Sequence, residues 1–224
     1  MAVERTLFEL GAPMVVGMDE AGRGALAGPV VVAAFGMSPY DLPIEAYDSK
    51  SLSRQRREAL ARQIRSRRKT WAIGSASVRE IETEGIAGAI RVAAGRALRR
   101  LASKLGGLSS GTYVLVDGPV PFLERTGLGD LGVDIGVVPI VDGDASCVTI
   151  AAASVLAKVY RDRVMARLDS RFPQFGFGRH MGYGTADHTE ALRRYGPTGV
   201  HRRNFSPVAA ACSEHPYIAS FTES

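Results

Sequence analysis

Two adjacent carboxylates, Asp19 and Glu20, stand at the end of a valine-rich run, and the tripeptide Gly22-Arg23-Gly24 follows almost at once. Carboxylate oxygens are the ligands that hard divalent cations prefer. Glycines beside them leave backbone that a phosphate group can approach closely. This order of residue types therefore predicts an acidic, metal-binding edge next to a segment that contacts an anionic group.

Two more carboxylates follow apolar runs further along the chain. Asp117 ends the run Thr112–Asp117, and Asp144 comes just after the run Gly136–Val141. Ligands bind at the carboxyl ends of strands in open α/β sheets, so parallel neighbouring strands would bring these acids to the first pair. Clustered carboxylates repel unless a cation lies between them, and Mg²⁺ or Mn²⁺ suits oxygen ligands. Two such ions about 3.5–4 Å apart can activate water and stabilise the leaving oxygen in phosphodiester cleavage.

A structural interpretation of the later acids stands beside the metal hypothesis. Aspartates at strand ends commonly form turns or cap helices, and Asp117, Asp142 or Asp144 taken singly fits that role better. An Asp-Glu pair followed by glycine, arginine and glycine is less ordinary. The joint pattern therefore supports metal binding, whereas no single aspartate does.

A nucleotide-binding loop is a rival interpretation of the first segment, because Gly22–Gly28 approximates a phosphate-binding glycine pattern. The segment lacks the lysine of a P-loop, and a valine-rich strand beginning with Pro29 follows it instead of a helix. Without a helix N-terminus such a loop lacks its anion site. We therefore favour the metal site.

Hydrophobic patterning predicts strands that alternate with helices, which is typical of an α/β fold with a mixed sheet. Three early strands in a row indicate antiparallel pairing, and later strands separated by helices indicate parallel crossovers. Besides a short helix at each end and a glycine-rich loop at Phe175–Thr185, the predicted strands are Met14–Asp19, Val30–Gly36, Thr70–Val78, Thr112–Asp117 and Gly136–Val141, and the helices Arg54–Arg68, Arg79–Glu84, Ile86–Leu105, Ser146–Arg171 and Ala186–Arg194.

Positive charge is concentrated in one part of the chain. The formal net charge is +5 over 224 residues, yet Lys50–Lys69 holds nine basic residues against one acid, so the remainder is net negative. A basic helix can simply be a solvated face. Its closeness in sequence to the acidic segment favours a nucleic acid partner.

Other features limit the function classes. No apolar run reaches membrane-spanning length and the N-terminus lacks a secretion-signal layout, so we expect a cytoplasmic protein without a membrane partner. The two cysteines are too few for a disulfide framework or a zinc cluster. The histidines lack metal-ligand spacing, and we expect surface or loop positions for His180, His188, His201 and His215.

A set of motifs, taken in chain order, closely resembles bacterial ribonuclease HII, the type 2 ribonuclease H, from about residue 14 to 207. The matching segments are Gly17–Gly24, Asp48-Ser49-Lys50, Val116-Asp117-Gly118, Gly143-Asp144, Ile150–Val159, Gly182–Thr185 and His201-Arg202 before Phe205. The resemblance implies a ribonuclease H-like fold with a mixed five-stranded sheet flanked by helices. It also implies a catalytic domain at residues 1–185 and a small C-terminal helical extension at 186–224, packed on the same domain.

The resemblance further implies a monomeric endonuclease that uses two Mg²⁺ or Mn²⁺ ions. Such enzymes hydrolyse the RNA strand of RNA–DNA hybrids and cut 5′ to single ribonucleotides embedded in duplex DNA, leaving 3′-hydroxyl and 5′-phosphate ends. The family's metal-binding, catalytic acids fall on Asp19, Glu20, Asp117 and Asp144. Its backbone motif that grips the ribonucleotide 2′-hydroxyl falls on Gly22, Arg23 and Gly24, and its stacking tyrosine on Tyr183.

The chain departs from the family pattern at several basic positions. The family usually has lysine where this chain has Ser51, Asp142 and Met181. Lys50, Lys158 and the arginine-rich helix are candidates to replace those phosphate contacts. Asp142 also competes with Asp144 for the fourth metal ligand. A non-catalytic protein of the same fold that binds RNA–DNA junctions is the alternative function.

Overall fold

The computed structural model describes residues 2–41, 53–66, 70–118 and 134–215, and these fall into two compact units. The first, called the sheet unit below, comprises Met1–Ala21, Val31–Ser75 and Ile90–Val159. The second, called the helical unit, comprises Gly22–Val30, Ala76–Ala89 and Tyr160–Ser224. The predicted division into residues 1–185 and 186–224 stays a prediction.

The described residues form one five-stranded sheet with the strand order β3-β2-β1-β4-β5. Strand β1 pairs antiparallel with β2 and parallel with β4, and β4 pairs parallel with β5. This arrangement confirms the predicted mixed sheet. The strands are β1 Val15–Ala21, β2 Val30–Met37, β3 Trp71–Ala76, β4 Thr112–Asp117 and β5 Ile135–Ile140.

Eight helices accompany the sheet in the described part of the chain. The sequence predicts two helices separated near residue 85. The structure has α3 there, which breaks at Gly85, where φ is 67° and ψ is 168°. The helices are α1 Ala2–Glu9, α2 Arg54–Ser66, α3 Val78–Leu105, α4 Gly143–Ser146, α5 Val148–Arg171, α6 Phe177–His180, α7 Ala186–Tyr195 and α8 Ser206–Glu214.

The first half of α5 lies against the sheet because its small side chains allow a close approach. Residues 150–157 of α5 are all buried, as the apolar run in the sequence predicts. A Cβ on Gly17 of β1 would collide with the backbone of Thr149 and Ile150. The glycine is therefore required for β1 and the start of α5 to pack together.

The helical unit has its own apolar core, built around Met165, Phe175, Phe177, Leu192 and Val208. The predicted loop at Phe175–Thr185 is wrong in its first half. A 3-10 turn at Pro173–Phe175 and helix α6 occupy it instead. The reason is burial, since the stacked rings of Phe175 and Phe177, 5.5 Å apart, anchor these turns in the core.

No helix among the described residues is both long and apolar enough to cross a membrane.

Candidate active site

Asp19 lies near the end of β1 at the middle of the sheet, where only 8% of its surface is exposed. Its Oδ1 accepts a hydrogen bond from the backbone N–H of Glu20 at 2.7 Å. Burial raises the pKa of Asp19 to about 7, a hydrogen bond from Ser154 opposes this rise, and the negative charges of Glu20 and Asp117 add to it. The sheet thus holds a carboxylate in a place where its charge is poorly stabilised.

Asp117 reaches the same level of the sheet because β1 and β4 are parallel and in register. The paired residues end with Met18 opposite Val116, so Asp19 and Asp117 come next on adjacent strands. Asp117 Oδ1 accepts a hydrogen bond from the backbone N–H of Gly143 at 2.8 Å. This bond ties the turn after β5 to the end of β4.

The turn after β5 separates the two candidates for the fourth acid. Asp142 is exposed and precedes α4 with a left-handed φ of 51°. Asp144 lies within α4 and is only 5% exposed. A Cβ on Gly143 would lie 3.2 Å from Asp117 Oδ1, so the glycine lets this turn close onto Asp117. Asp144 therefore faces inward in the sheet unit, whereas Asp142 faces solvent.

The four acids suit a hard cation by their chemistry, although they are not arranged as a finished metal cage. No group of three or more His, Cys, Asp or Glu side chains in the described ranges is placed to hold a metal ion. The donor set is nevertheless all carboxylate, and a cation would offset the charge repulsion that raises the pKa of Asp19. By their donor chemistry, the residues Asp19, Glu20, Asp117 and Asp144 thus fit a divalent ion.

The predicted basic contacts are only partly visible. Lys158 lies on α5 in the sheet unit and is half-buried. Lys50 and its neighbours Asp48, Ser49 and Ser51 lie outside the described residues. Helix α2 buries Ala61 and Ile64 and exposes Arg54, Arg56 and Arg62.

The tripeptide Gly22-Arg23-Gly24 belongs to the helical unit. Gly22 is buried and has φ 91°, and a Cβ there would collide with the side chain of Arg161. Arg23 and Gly24 are exposed. The side chain of Arg161 therefore constrains the backbone at Gly22, while Arg23 and Gly24 face solvent.

Two buried arginines hold this segment, and the sequence interpretation missed their role. Arg161 donates to the carbonyl oxygens of Ala27, Pro29 and Met181 at 3.0, 3.1 and 2.8 Å. Arg202 donates to the carbonyl oxygen of Arg23 at 2.9 Å and to that of Gly28 at 3.0 Å.

Burial lowers the pKa of both guanidinium groups, that of Arg202 to about 9. Nη2 of Arg202 has no hydrogen-bond partner among the described residues. Arg161 stands among other charged residues, Lys158, Asp162 and Arg163, so the sequence alone does not mark it as buried.

Tyr183, the predicted stacking residue, is 38% exposed. Its ring centroid lies 5.5 Å from the guanidinium carbon of Arg161, the same side chain that packs under Gly22. Its backbone N–H donates to the His180 carbonyl at 3.0 Å. Within the helical unit, the side chain of Arg161 thus lies close to both Gly22 and the ring of Tyr183.

The expectation of surface or loop positions for the histidines is wrong for His188, which is buried within α7, whereas His201 lies in the segment between α7 and α8 but is buried as well. His188 is fully buried and His201 is 1% exposed. Their Nε2 atoms lie 3.2 Å apart, and the ring of His180 stacks on His188 with 4.6 Å between centroids. Their burial is possible because backbone groups and the partner ring satisfy the ring nitrogens, which sequence spacing does not reveal.

Comparison with known proteins places the chain among ribonucleases H. The family model for ribonuclease HII matches residues 16–208. Ribonuclease HII of Geobacillus kaustophilus (strain HTA426) is 44% identical over 216 residues, which cover 93% of this chain and 74% of that protein. Ribonuclease HII of Thermus thermophilus (strain ATCC BAA-163) is 41% identical over 203 residues, 91% of each chain.

Solved structures agree on the fold. The ribonuclease H2 of Pyrococcus horikoshii OT3 superposes with a TM-score of 0.68 and 24% identity, covering 88% of this chain and 96% of that one. Bst ribonuclease HIII, solved in complex with Mn²⁺, gives a TM-score of 0.64 at 20% identity, covering 92% of this chain and 71% of that one. Because both identities are low, these two structures support the architecture alone.

Proposed function

Since the chain belongs to the ribonuclease HII family, it is a metal-dependent endoribonuclease of the ribonuclease H type, and we propose that it cuts RNA–DNA hybrids and also cuts 5′ to single ribonucleotides embedded in duplex DNA. The observation that carries this proposal is the register of β1 and β4, which sets Asp19 beside Asp117 at the middle of the sheet. Carboxylates so placed are suited to hold the ions of a phosphodiester hydrolase.

In this proposal Asp19, Glu20, Asp117 and Asp144 hold the divalent ions, either Mg²⁺ or Mn²⁺. Two ions bound there would activate water and stabilise the leaving oxygen. Two observations support this assignment: the Gly143 N–H donates to Asp117, and Asp144 is buried whereas Asp142 is exposed. The elevated pKa of Asp19 supports the same assignment, because an ion replaces the proton that the buried carboxyl otherwise retains.

Recognition of the ribonucleotide is assigned to the helical unit. The 2′-hydroxyl is the group that distinguishes RNA from DNA at a given position. Gly22, Arg23 and Gly24 would contact it through their backbone. The support is that Arg161 and Arg202 fix this backbone from below, and a fixed backbone pre-positions its polar groups for a ligand.

Tyr183 is proposed to stack on a sugar or base next to the ribonucleotide, because its ring is partly exposed and supported by Arg161. Lys158, Lys50 and the arginines of α2 are proposed to contact the phosphates. We also propose that the protein acts as a monomer in the cytoplasm, with nucleic acid as its partner.

A cleavage assay tests this function. Duplex DNA with one embedded ribonucleotide is incubated with the wild type, Asp19→Asn and Asp117→Asn, with Mg²⁺, with Mn²⁺ and with EDTA. We expect a 3′-hydroxyl and a 5′-phosphate product from the wild type with metal only, and a loss of about a thousandfold or more in each variant.

The alternative, a non-catalytic protein that binds RNA–DNA junctions, makes a different prediction for the same gel. It predicts a shifted complex without product under every metal condition. Full activity of both variants with Mg²⁺ would instead show that cleavage does not depend on these carboxylates.

A further inference from the structure

Three histidines meet in the helical unit, and their contacts determine which nitrogen carries each proton. The backbone N–H of Thr198 lies 3.0 Å from Nδ1 of His201. An amide N–H can only donate, so this Nδ1 is unprotonated and the proton of neutral His201 is on Nε2. Nε2 of His201 then donates across the 3.2 Å contact to Nε2 of His188.

The contacts of His188 determine the position of its proton in the same way. Because Nε2 of His188 accepts, its proton lies on Nδ1, which is 2.9 Å from the carbonyl oxygen of Tyr183. Burial lowers the pKa of both rings, so both are neutral at physiological pH. The contacts therefore form a single directed chain that runs from Thr198 through both rings to Tyr183.

The chain ends on the backbone that carries the exposed ring of Tyr183. The same carbonyl also accepts from the N–H of Thr185 at 2.9 Å, and Thr185 caps α7, the helix that bears His188. The preceding residue is held as well, since the carbonyl of Gly182 accepts from the N–H of Leu26 at 2.8 Å. The Tyr183 backbone is thus fixed on several sides while its side chain reaches solvent.

We propose that His188 and His201 are positioning residues for Tyr183: together they hold its carbonyl so that its ring is presented to the nucleic acid. This inference rests on the stacking role proposed for Tyr183 above. The histidines touch neither the scissile group nor the metal-binding acids in this assignment, so they act through the tyrosine. Their loss should therefore affect single ribonucleotides more than long hybrids, where contacts repeat along the strand.

Two substitutions at one position separate this role from simple core packing. In His188→Asn the amide nitrogen takes the place of Nδ1 and keeps the donor to Tyr183, but the contact to His201 is lost. In His188→Gln the longer amide keeps a group near His201, but the donor to Tyr183 is lost. Both variants are expected to lower the melting temperature, because each leaves one buried hydrogen bond unmade.

The readout is the ratio of kcat/KM on a single embedded ribonucleotide to kcat/KM on a long hybrid. We expect His188→Gln to lower this ratio by about five- to tenfold, the value of one hydrogen bond, and His188→Asn to keep it near that of the wild type. Glu190→Gln, on the exposed side of the same helix, is the control for changes in α7. Equal ratios in the Gln and Asn variants, or ratios that follow only the loss of stability, would overturn the inference.

Measuring Tyr183→Ala separates failure of the positioning role of His188 from failure of the proposed stacking role of Tyr183. If Tyr183→Ala lowers the ratio and His188→Gln adds nothing in that background, the two residues act together as proposed. If Tyr183→Ala lowers the ratio but His188→Gln alone does not, only the positioning role is overturned. If Tyr183→Ala keeps the wild-type ratio, the stacking role is wrong and the positioning role falls with it.

Discussion

The two units stabilise their charged residues in opposite ways. In the sheet unit, Asp19 lies near the carboxylates of Glu20 and Asp117. Burial, and to a lesser extent these negative neighbours, raise the pKa of Asp19 to about 7. In the helical unit, two buried cations donate to backbone carbonyls, and two buried histidines are neutral and paired. A bound cation would offset the charge repulsion in the first arrangement, whereas the buried groups of the second pair within the helical unit, apart from Nη2 of Arg202. Under the proposed function, this contrast would make catalysis depend on a bound metal ion, while the segment proposed for recognition is already fixed without one.

The largest expected loss of cleavage activity tests whether Asp144 or Asp142 is the fourth metal ligand. Asp144→Asn should reduce cleavage by about a thousandfold or more, because a ligand charge is lost, whereas Asp142→Asn should change it by less than about threefold. Both substitutions are isosteric and lie in the same turn, so each serves as the control for the other. Cleavage rates with saturating Mg²⁺ measure the difference, and the reverse order would move the fourth ligand to Asp142.

Because ionising the buried Asp19 is unfavourable, the free energy of unfolding of the metal-free protein should depend on pH. Asp19 has its pKa raised from 3.8 to about 7, so between these values the folded state binds more protons than the unfolded state. Stability attributable to Asp19 is therefore present below about pH 4 and is lost as the pH rises to 7, by on the order of 3 kcal/mol.

Denaturant unfolding of the wild type and Asp19→Asn, with EDTA from pH 4 to 8, isolates this contribution because the other groups cancel in the difference. We expect Asp19→Asn to be the more stable protein at pH 7 and to lose this advantage towards pH 4. A constant difference across the range would mean that the acidic site carries no such cost.

The rigidity of the helical unit can be probed at two glycines of the same tripeptide. Gly22→Ala should cost about 1–3 kcal/mol of stability, because φ is 91° and the new Cβ meets Arg161. Gly24→Ala should cost no more than about 0.5 kcal/mol, because nothing lies within 4 Å of its Cβ. Chemical denaturation of the two variants compares them directly. Similar stabilities would show that the arginine does not constrain this backbone.

A smaller loss of cleavage activity is expected from removing the exposed ring of Tyr183. Tyr183→Ala should slow cleavage at a single ribonucleotide by about tenfold, the value of one stacking contact, and cleavage of a long hybrid by less. Steady-state kinetics on the two substrates measure it, with Tyr195→Ala as a control at another partly exposed tyrosine of the helical unit. Equal slowing on both substrates would remove the specific role of Tyr183.

The elements of the sheet unit could be predicted well because buried strands leave a strong trace in sequence. The strand Thr112–Asp117, for example, has the predicted bounds. The helical unit was harder to predict, since α6 replaces a predicted loop. Its turns are short and glycine-rich, and the two phenylalanines that stabilise them contact residues far away in the chain.

The α/β class, the acids at the strand ends and the family could all be inferred from residue order, because apolar periodicity and motifs are properties of the chain. The folded structure was needed to show that Asp144 is buried and Asp142 exposed, and that Arg161 lies close to both Gly22 and Tyr183. It also decided that His188 and His201 form a buried pair. The physical reason is that burial and hydrogen-bond partners depend on which distant segments meet, and residue type and local spacing do not encode that.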